Sequence, residues 1–567
     1  MTFISAFRFG LSAHHRRIAH AVAVIGLTGI GAGSSSGYAL VFDTNSDVTV
    51  RWDNTFKYSA VYRLRDPSNS LVTGGPVAPP LPPFALPGPQ VDDGDRNFNR
   101  GLVSNRVDWF TEFDAGYQNL GMHVSAAAWY DDVYNHGNDN NSQATVSTSS
   151  VPAGQFTDAT KRLMGRKAEF LDAFVFLKSD QSSETPFTIR AGKHTVLYGE
   201  SLFFGANGIA NAQAPMDLIK LLMVPGSQFK EIIRPLPQIS TQVQLSPNVS
   251  MGAYYQVGWQ KNRIPAAGSF LSDGDFAGDG SEVLFPGTPI AMKHVSDLNA
   301  KRTGQGGVQV RFKPTSADVE YGLYAAQYHD KGPQFMVDPV NGAYRAVYAE
   351  DVRTYGASFS TVFGEANVAG EASIRTNAPL VSGPQVDIGL IGNGDGNPLY
   401  AVGRTGHVQA SMITLMGKGA LWDGASLLGE VAWNRLLSIQ KNPAALDPNV
   451  TRDAMAMRMI FEPQYFQVFS GTDLSVPIGL GYNPYGRSSS VFKFNGGVEK
   501  GGDFSIGLTA DYNHKVKTSL NYVHFYGPKG AFLESNSKDP ARGLLMLTGK
   551  QSLYDRDFVS FSVQTTF

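Results

Sequence analysis

The sequence predicts an all-β fold: one transmembrane antiparallel up-and-down β-barrel of about 18 strands (16–18), with long outer loops and a segment inserted into the lumen. Three observations predict it. Apolar and polar residues alternate with a period of two in stretch after stretch, the period that puts successive side chains of a strand on opposite faces. The spacers between these stretches alternate short and long, as the loops at the two ends of a membrane barrel do. The chain also closes on Arg556–Phe567 (RDFVSFSVQTTF), where Val559, Phe561, Val563 and Phe567 share one face and Ser560, Ser562, Gln564 and Thr566 the other.

The composition admits this class without announcing it. Of 567 residues 42% are hydrophobic and 11% aromatic, and 61 are Gly, which suits many strands and turns. No stretch reaches the length of apolar residues that a membrane helix needs, and a barrel signal is weaker because only alternate residues face lipid. The absence of Cys excludes disulfides, thiolate metal sites and cysteine nucleophiles.

Residues 1–39 read as a secretory signal peptide. Arg8, Arg16 and Arg17 form a basic region, Ala21–Gly31 an apolar core, and Gly37-Tyr38-Ala39 a small-residue cleavage box, so cleavage is expected near Ala39, before Leu40. The barrel is then residues 40–567, integral to the outer membrane. Removing the three Arg leaves a mature chain with more acidic than basic residues, a balance that argues against nucleic acid as a partner.

The first strand, 46–64, shows the cleanest alternation. Val48, Val50, Trp52, Phe56, Tyr58, Ala60, Tyr62 and Leu64 oppose Thr49, Arg51, Asp53, Thr55, Lys57, Ser59 and Arg63. In 103–117, Val103, Val107, Trp109, Phe113 and Tyr117 oppose Arg106, Asp108, Glu112 and Asp114. The pattern recurs at 122–134, 165–178, 187–198, 236–246, 248–262, 303–313, 318–329, 350–363, 366–376, 405–417, 425–436, 454–466, 472–482, 503–512, 516–526 and 556–567. Each run is near the ~10 residues of a tilted membrane strand.

Short turns such as Ser246-Pro247-Asn248, Gly364-Glu365 and Asn513-His514 alternate with long spacers: 65–102, 135–164, 199–235, 263–302, 330–349, 377–404, 437–453, 483–502 and 527–555. An even strand count brings both termini to the end with the short turns. Trp52, Tyr62, Trp109, Tyr117, Trp259, Tyr328, Trp433 and Tyr526 lie near strand ends and fit interfacial girdles. Residues 72–90 are Pro-rich and cannot continue a strand; they form an outer loop or a lid. In 199–235, the run Pro215-Met216-Asp217-Leu218-Ile219-Lys220-Leu221-Leu222-Met223 is apolar enough to pack. A short helix folded into the lumen, carrying Pro215, Leu218, Leu221, Leu222 and Met223, buries it better than an exposed loop does.

Strand phase points Arg51, Asp53, Lys57, Arg106, Asp108, Glu112, Arg190, His194, Glu371, Arg375, Glu430 and Arg458 into the lumen, where charges line a channel or simply pair and keep the wall wet.

Several phrases, in order, resemble one family of outer-membrane barrels, catalogued as domain of unknown function 1302. They are Arg51-Trp52-Asp53-Asn54-Thr55, Asp92-Asp93-Gly94-Asp95-Arg96-Asn97-Phe98, Arg190-Ala191-Gly192-Lys193-His194 with Gly199-Glu200-Ser201, Asp273–Gly280, Glu350-Asp351-Val352 leading to Tyr355-Gly356, Gly370-Glu371, and Asp555–Ser560. Lys193-His194 stands where the family usually has Arg-Gln. The resemblance implies a barrel working beside a periplasmic protein that resembles lipoprotein carriers and an inner-membrane exporter of the resistance-nodulation-division type. It implies movement of a lipid or other hydrophobic compound and offers no catalytic residues to carry over; a barrel in the outer membrane is itself expected to contact outer-membrane lipid, and no cofactor is expected.

Other chemistries leave weaker traces. The acidic loops Asp92–Asp95, Asp273–Asp279 and Asn393-Gly394-Asp395 offer oxygen ligands of the kind Ca²⁺ takes, but Leu284 stands where an EF-hand would need Glu, and solvated Gly/Asp turns explain them better. From Leu40 on there is no Gly-x-Ser-x-Gly elbow, P-loop or His-Glu-x-x-His. His194 near Ser201 is the one hydrolase-like pairing, and it needs a geometry that sequence proximity does not supply. The expectation is a channel and not an enzyme, moving a hydrophobic compound or, alternatively, acting as a diffusion porin for small polar solutes.

Overall fold

A computed structural model describes residues 40–43, 47–72, 92–142, 146–180, 182–227, 229–286, 291–535 and 545–567. The expected signal peptide and, from residue 73 on, the Pro-rich run lie outside the described residues.

Eighteen antiparallel strands form one closed sheet. They are β1 (Val48–Arg63), β2 (Gly101–Tyr117), β3 (Leu120–Asp131), β4 (Arg166–Lys178), β5 (Phe187–His194), β6 (Leu236–Ser246), β7 (Val249–Gln256), β8 (Gln305–Phe312) and β9 (Val319–Tyr328). The ring continues through β10 (Val352–Phe363), β11 (Ala366–Pro379), β12 (Val402–Met416), β13 (Gly424–Lys441), β14 (Asp453–Phe469), β15 (Thr472–Ser475 with Ile478–Tyr485), β16 (Gly502–Tyr512), β17 (Val516–Tyr526) and β18 (Phe558–Thr566). Pro477, which has no N–H to give the ladder, splits β15. Each strand pairs with its sequence neighbours, and β18 returns to β1 with Ser59 opposite Ser562. Closure leaves no strand edge at the join, the condition for placing a sheet in hydrocarbon. A short extra strand, Leu40–Asp43, pairs with the start of β1.

The alternation sorts as the sequence implies. Trp52, Phe56, Tyr58 and Tyr62 on β1 and Val107, Trp109 and Tyr117 on β2 face outward and are exposed, whereas Lys57, Ser59, Arg63, Arg106 and Asp108 face inward and are buried. Phe561 on β18 and Phe567 just after it are exposed, and Ser560 and Ser562 are buried. An apolar belt around a closed barrel is a surface that meets lipid.

Three details correct the sequence reading. Val61 pairs with Ser104 but Tyr62 pairs with Leu102, so a bulge at residue 103 reverses the phase; Val103 is buried and Leu102 takes the outer face. Tyr328 does not join a girdle, because it points inward and is 1% exposed, with the Lys331 ammonium 5.0 Å from its ring centre. Trp259 packs at 4.9 Å against Tyr348 in a loop.

The long loops are folded. Strand pieces at 283–284, 292–294, 334–338, 343–347 and 385–386 make a five-stranded sheet, and 533–535 with 545–547 a hairpin. Phe276, Leu284, Phe285, Met292, Val337, Tyr344, Leu533 and Leu545 form the apolar core between them. The barrel therefore carries an ordered roof at its long-loop end. Within the barrel, the segment between β5 and β6 enters the lumen, with α1 (Leu218–Met223) and α2 (Phe229–Ile232).

Candidate functional site: a segment clamped across the lumen

In an eighteen-strand ring β2 and β11 stand nine places apart, on opposite walls. The lumen segment touches both. Its first half is held by β11–β13. The Glu371 carboxylate accepts the N–H groups of Glu200 at 2.6 Å and Ile209 at 2.8 Å, and the Gln409 side chain donates to it at 3.0 Å. The Glu430 carboxylate accepts the N–H groups of Leu202, Phe203 and Phe204 at 3.3, 2.5 and 2.9 Å. One Arg375 nitrogen donates to the carbonyls of Ala206, Asn207 and Gly208 at 2.8–2.9 Å. Two wall carboxylates thus satisfy backbone donors and one wall guanidinium the acceptors, at three successive turns of an irregular loop. Charged groups bonded to backbone in this way give strong, directional contacts.

Glycine is required at two of these positions. A Cβ on Gly199, where φ is +96°, or on Gly208 would overlap the Glu371 carboxylate. Asn207 is fully buried among Gln409, His407 and Asn434. Glu200 also pairs with Arg311 on β8 at 2.8 Å; burial pushes its carboxyl above the usual carboxylate range against that pull. Lys331 donates to the carbonyls of Asn211 and Ala212, and burial lowers its ammonium to about 8.

The second half packs on the opposite wall. Asp217 caps α1 by accepting the N–H groups of Ile219 and Lys220, both at 3.1 Å. Ile219 and Val224 join Val61, Phe98, Val103, Tyr134, Phe270 and Phe558 in one apolar cluster, with Met223 against it. Of the other residues expected to pack, Pro215 is buried, Leu218 and Leu221 are half-buried, and Leu222 is exposed. Ile219, not Leu222, carries the burial, because the cap fixes which side of the single helical turn meets the wall. Arg106, Lys220 and Arg263 surround the Trp129 ring at 4.8, 5.5 and 5.9 Å, each with a carboxylate: Asp108, Glu231 and Asp217.

The remaining inward charges are placed as follows. Arg51 pairs with Asp53 at 2.7 Å, and Lys57 lies across the ladder from Asp108. Glu112 pairs with Lys230 of α2. Arg190 lies 5.7 Å from the Phe174 ring centre. Arg458 donates to Asp503 at 3.1 Å and to Asn495. His194 Nε2 lies 2.7 Å from Ser240 Oγ and Nδ1 lies 3.1 Å from the Gly192 carbonyl. Both ring nitrogens of His194 are thus engaged away from Ser201, and the two are not paired as nucleophile and base.

At the long-loop end, phrases that are distant in sequence meet. Arg63 pairs with Asp95 and donates to the carbonyls of Asp95 and Phe98. Arg556 pairs with Asp92 and donates to the carbonyls of Phe270 and Ser272. Asp275 accepts from Gly268 N–H and Ser272 Oγ and binds Asp93 N–H. A Cβ at Gly94 would overlap the carbonyls of Ser269 and Ser272. These acidic loops are therefore not solvated turns. Asp92, Asp93, Asp95 and Asp275 are all buried, their oxygens committed largely to guanidinium and backbone groups. Glu350, Asp351 and Asp395 come within reach of one cation, but the Lys301 ammonium lies 2.9 Å from Glu350 and 2.7 Å from Asp395.

Comparison with known proteins adds a family. The family model described as Protein of unknown function (DUF1302) matches residues 17–567. No curated protein matches. Solved structures with a similar course of chain include OccAB4 of Acinetobacter baumannii, 8% identical with a TM-score of 0.40, the match covering 94% of this chain and 100% of that one. OpdK of Pseudomonas aeruginosa with vanillate is 10% identical, with a TM-score of 0.39 and coverage of 91% and 98%. The outer membrane channel DcaP of Acinetobacter baumannii is 8% identical, with a TM-score of 0.35 and coverage of 93% and 99%.

Proposed function

This chain belongs to the DUF1302 family, and on that premise we propose that it is an outer-membrane channel closed at rest by residues 199–235, passing a hydrophobic or amphipathic molecule. The observation that carries the reading is the clamp of Glu371, Arg375 and Glu430 on residues 200–209. It holds backbone across the lumen with side chains that can let go one at a time, whereas a permanent seal needs only apolar packing. The long-loop end then faces outside and the short-turn end the periplasm. A periplasmic carrier of lipid-like molecules and an inner-membrane exporter are the proposed partners at the latter end.

A diffusion porin for small polar solutes is the second reading, supported by the half-buried pairs Arg51–Asp53 and Arg458–Asp503 on the wall. Swelling of proteoliposomes in arabinose separates the two. A closed hydrophobic route gives swelling close to that of empty liposomes; swelling as fast as with an open porin would overturn the first reading in favour of the second.

A further inference from the structure

The wall is not hydrogen-bonded all the way up. β4 pairs with β5 only from Lys178–Thr188 to Ala173–Lys193. Above that rung β5 ends and its chain turns inward, while β4 continues to Arg166, bonded to β3 alone. Among the described residues no backbone group of 166–172 bonds to backbone on the β5 side. At about 3.3 Å per residue and a tilt near 40°, the break starts roughly 13 Å above the short-turn end and runs to roughly 30 Å. It therefore enters the upper part of the apolar belt, where open backbone is costly unless water or a ligand reaches it.

Side chains close this break instead. Arg263 makes a two-pronged pair with Glu169 on β4, at 2.7 and 2.5 Å, and Lys193 donates to the Phe170 carbonyl at 2.5 Å. Arg263 also holds Asp217, the cap of α1, at 2.7 Å. One guanidinium thus ties the wall to the lumen segment. Phe170, on β4 beside the break, is exposed. At the top of the break lies a cleft of about 660 Å³ lined by Arg162, Arg166, Lys167 and Lys261 with two carboxylates, Asp279 and Asp297; Lys167 lies 4.0 Å from Glu169. Arg162 and Arg166 have no carboxylate partner among the described residues, whereas Lys261 is paired with Asp297.

We propose that this break is a lateral portal between the lumen and the outer leaflet, latched by Arg263–Glu169, and that its ligand is an amphiphile with an anionic head. The head is received by the basic cleft and the tail lies along Phe170. The inference rests on the channel reading above. It deepens that reading by naming the class of molecule and the side on which it leaves. Because Asp217 shares Arg263 with Glu169, displacing the lumen segment weakens the latch, and the two closures open together.

The chain has no Cys, so Glu169→Cys with Arg263→Cys introduces the only thiols. The test reconstitutes this pair into liposomes and follows an NBD-labelled dodecyl phosphate, permanently anionic, from the outer leaflet to albumin trapped inside. Bridging the thiols with a bis-methanethiosulfonate is expected to slow transfer at least tenfold, and reduction to restore it. Glu169→Gln, which takes the charge off the wall side and leaves Arg263 on Asp217, is expected to transfer at least threefold faster than wild type; a wild-type rate in the folded variant overturns the latch, which covers a thiol pair that fails to fold. Equal transfer by bridged and reduced barrels overturns the portal and leaves the channel standing. No transfer by any folded form, with the lumen segment deleted or intact, overturns the channel reading for this class and the portal with it.

Discussion

Glu371 on β11 accepts the backbone N–H of Ile209 at 2.8 Å from the far end of an inserted loop, which makes one wall carboxylate the anchor of a segment that spans the lumen. Removing it leaves the N–H groups of Glu200 and Ile209 without their acceptor, a loss of about 2 kcal/mol for a buried donor. Glu371→Ala is expected to raise the open fraction of the channel by ten-fold or more while the barrel stays folded, judged by its shifted migration in unheated gels. Glu371→Gln, which keeps an acceptor oxygen, is expected to fall between.

The same opening should follow from adding one carbon on the other side of the contact. Gly208→Ala places a Cβ where the Glu371 carboxylate sits. Increased conductance with Glu371 intact is the expected result. Unaltered conductance in a folded variant would mean the loop tolerates a shift there and that the clamp is looser than described.

The roof has its own anchor. Arg63 and Arg556 are fully buried between Asp95, Asp92 and backbone carbonyls. Cutting one partner from such a network costs about 3–5 kcal/mol because the charge left behind stays buried. Arg556→Met is expected to expose the loops around 92–98 and 268–275 to externally added protease at least tenfold faster, with the strands still protected. Gly94→Ala, which drives a Cβ into the Ser269 and Ser272 carbonyls, should do the same with every charge in place.

Lys331 supplies a pH dependence. Its ammonium is lowered to about 8 by burial, against the attraction of Asp330, so between about 8 and the ordinary lysine value the unfolded chain binds the extra proton. Stability therefore rises with pH across that window, and the penalty is fully present below it. The thermal midpoint of the wild-type protein is expected to climb between pH 8 and 10.5 more steeply than that of Lys331→Met. Parallel curves would remove Lys331 as the cause.

Most of the wall could be read from the chain because a strand in a barrel has one simple instruction, to alternate. Trp52 and Lys57 lie on opposite faces for that reason alone. Where alternation slips, as at the bulge beside Val103, the sequence carries no marker, since the extra residue is an ordinary valine. The lumen segment was legible as an apolar run that needed cover, but not its attachment. Glu371, Arg375 and Glu430 are recognisable as inward charges by phase, whereas their partners are backbone groups some 160–230 residues earlier, and nothing local encodes that pairing. The roof was missed for a related reason. Asp92–Asp95 and Asp273–Asp279 look like solvated turns in isolation, and only convergence with Arg63 and Arg556 turns them into a buried network. The break above His194 also leaves no local trace, because β5 ends without Pro and its missing ladder is visible only from β4.

Single-channel recording in a planar bilayer, comparing the wild-type barrel with one lacking residues 205–228, reads out whether the segment between β5 and β6 closes the lumen. The wild type is expected to insert and remain closed or nearly so, and the deletion to show a large, steady conductance. A wild-type barrel already as conductive as the deletion would contradict that expectation, because the segment between β5 and β6 would then cross the lumen without closing it.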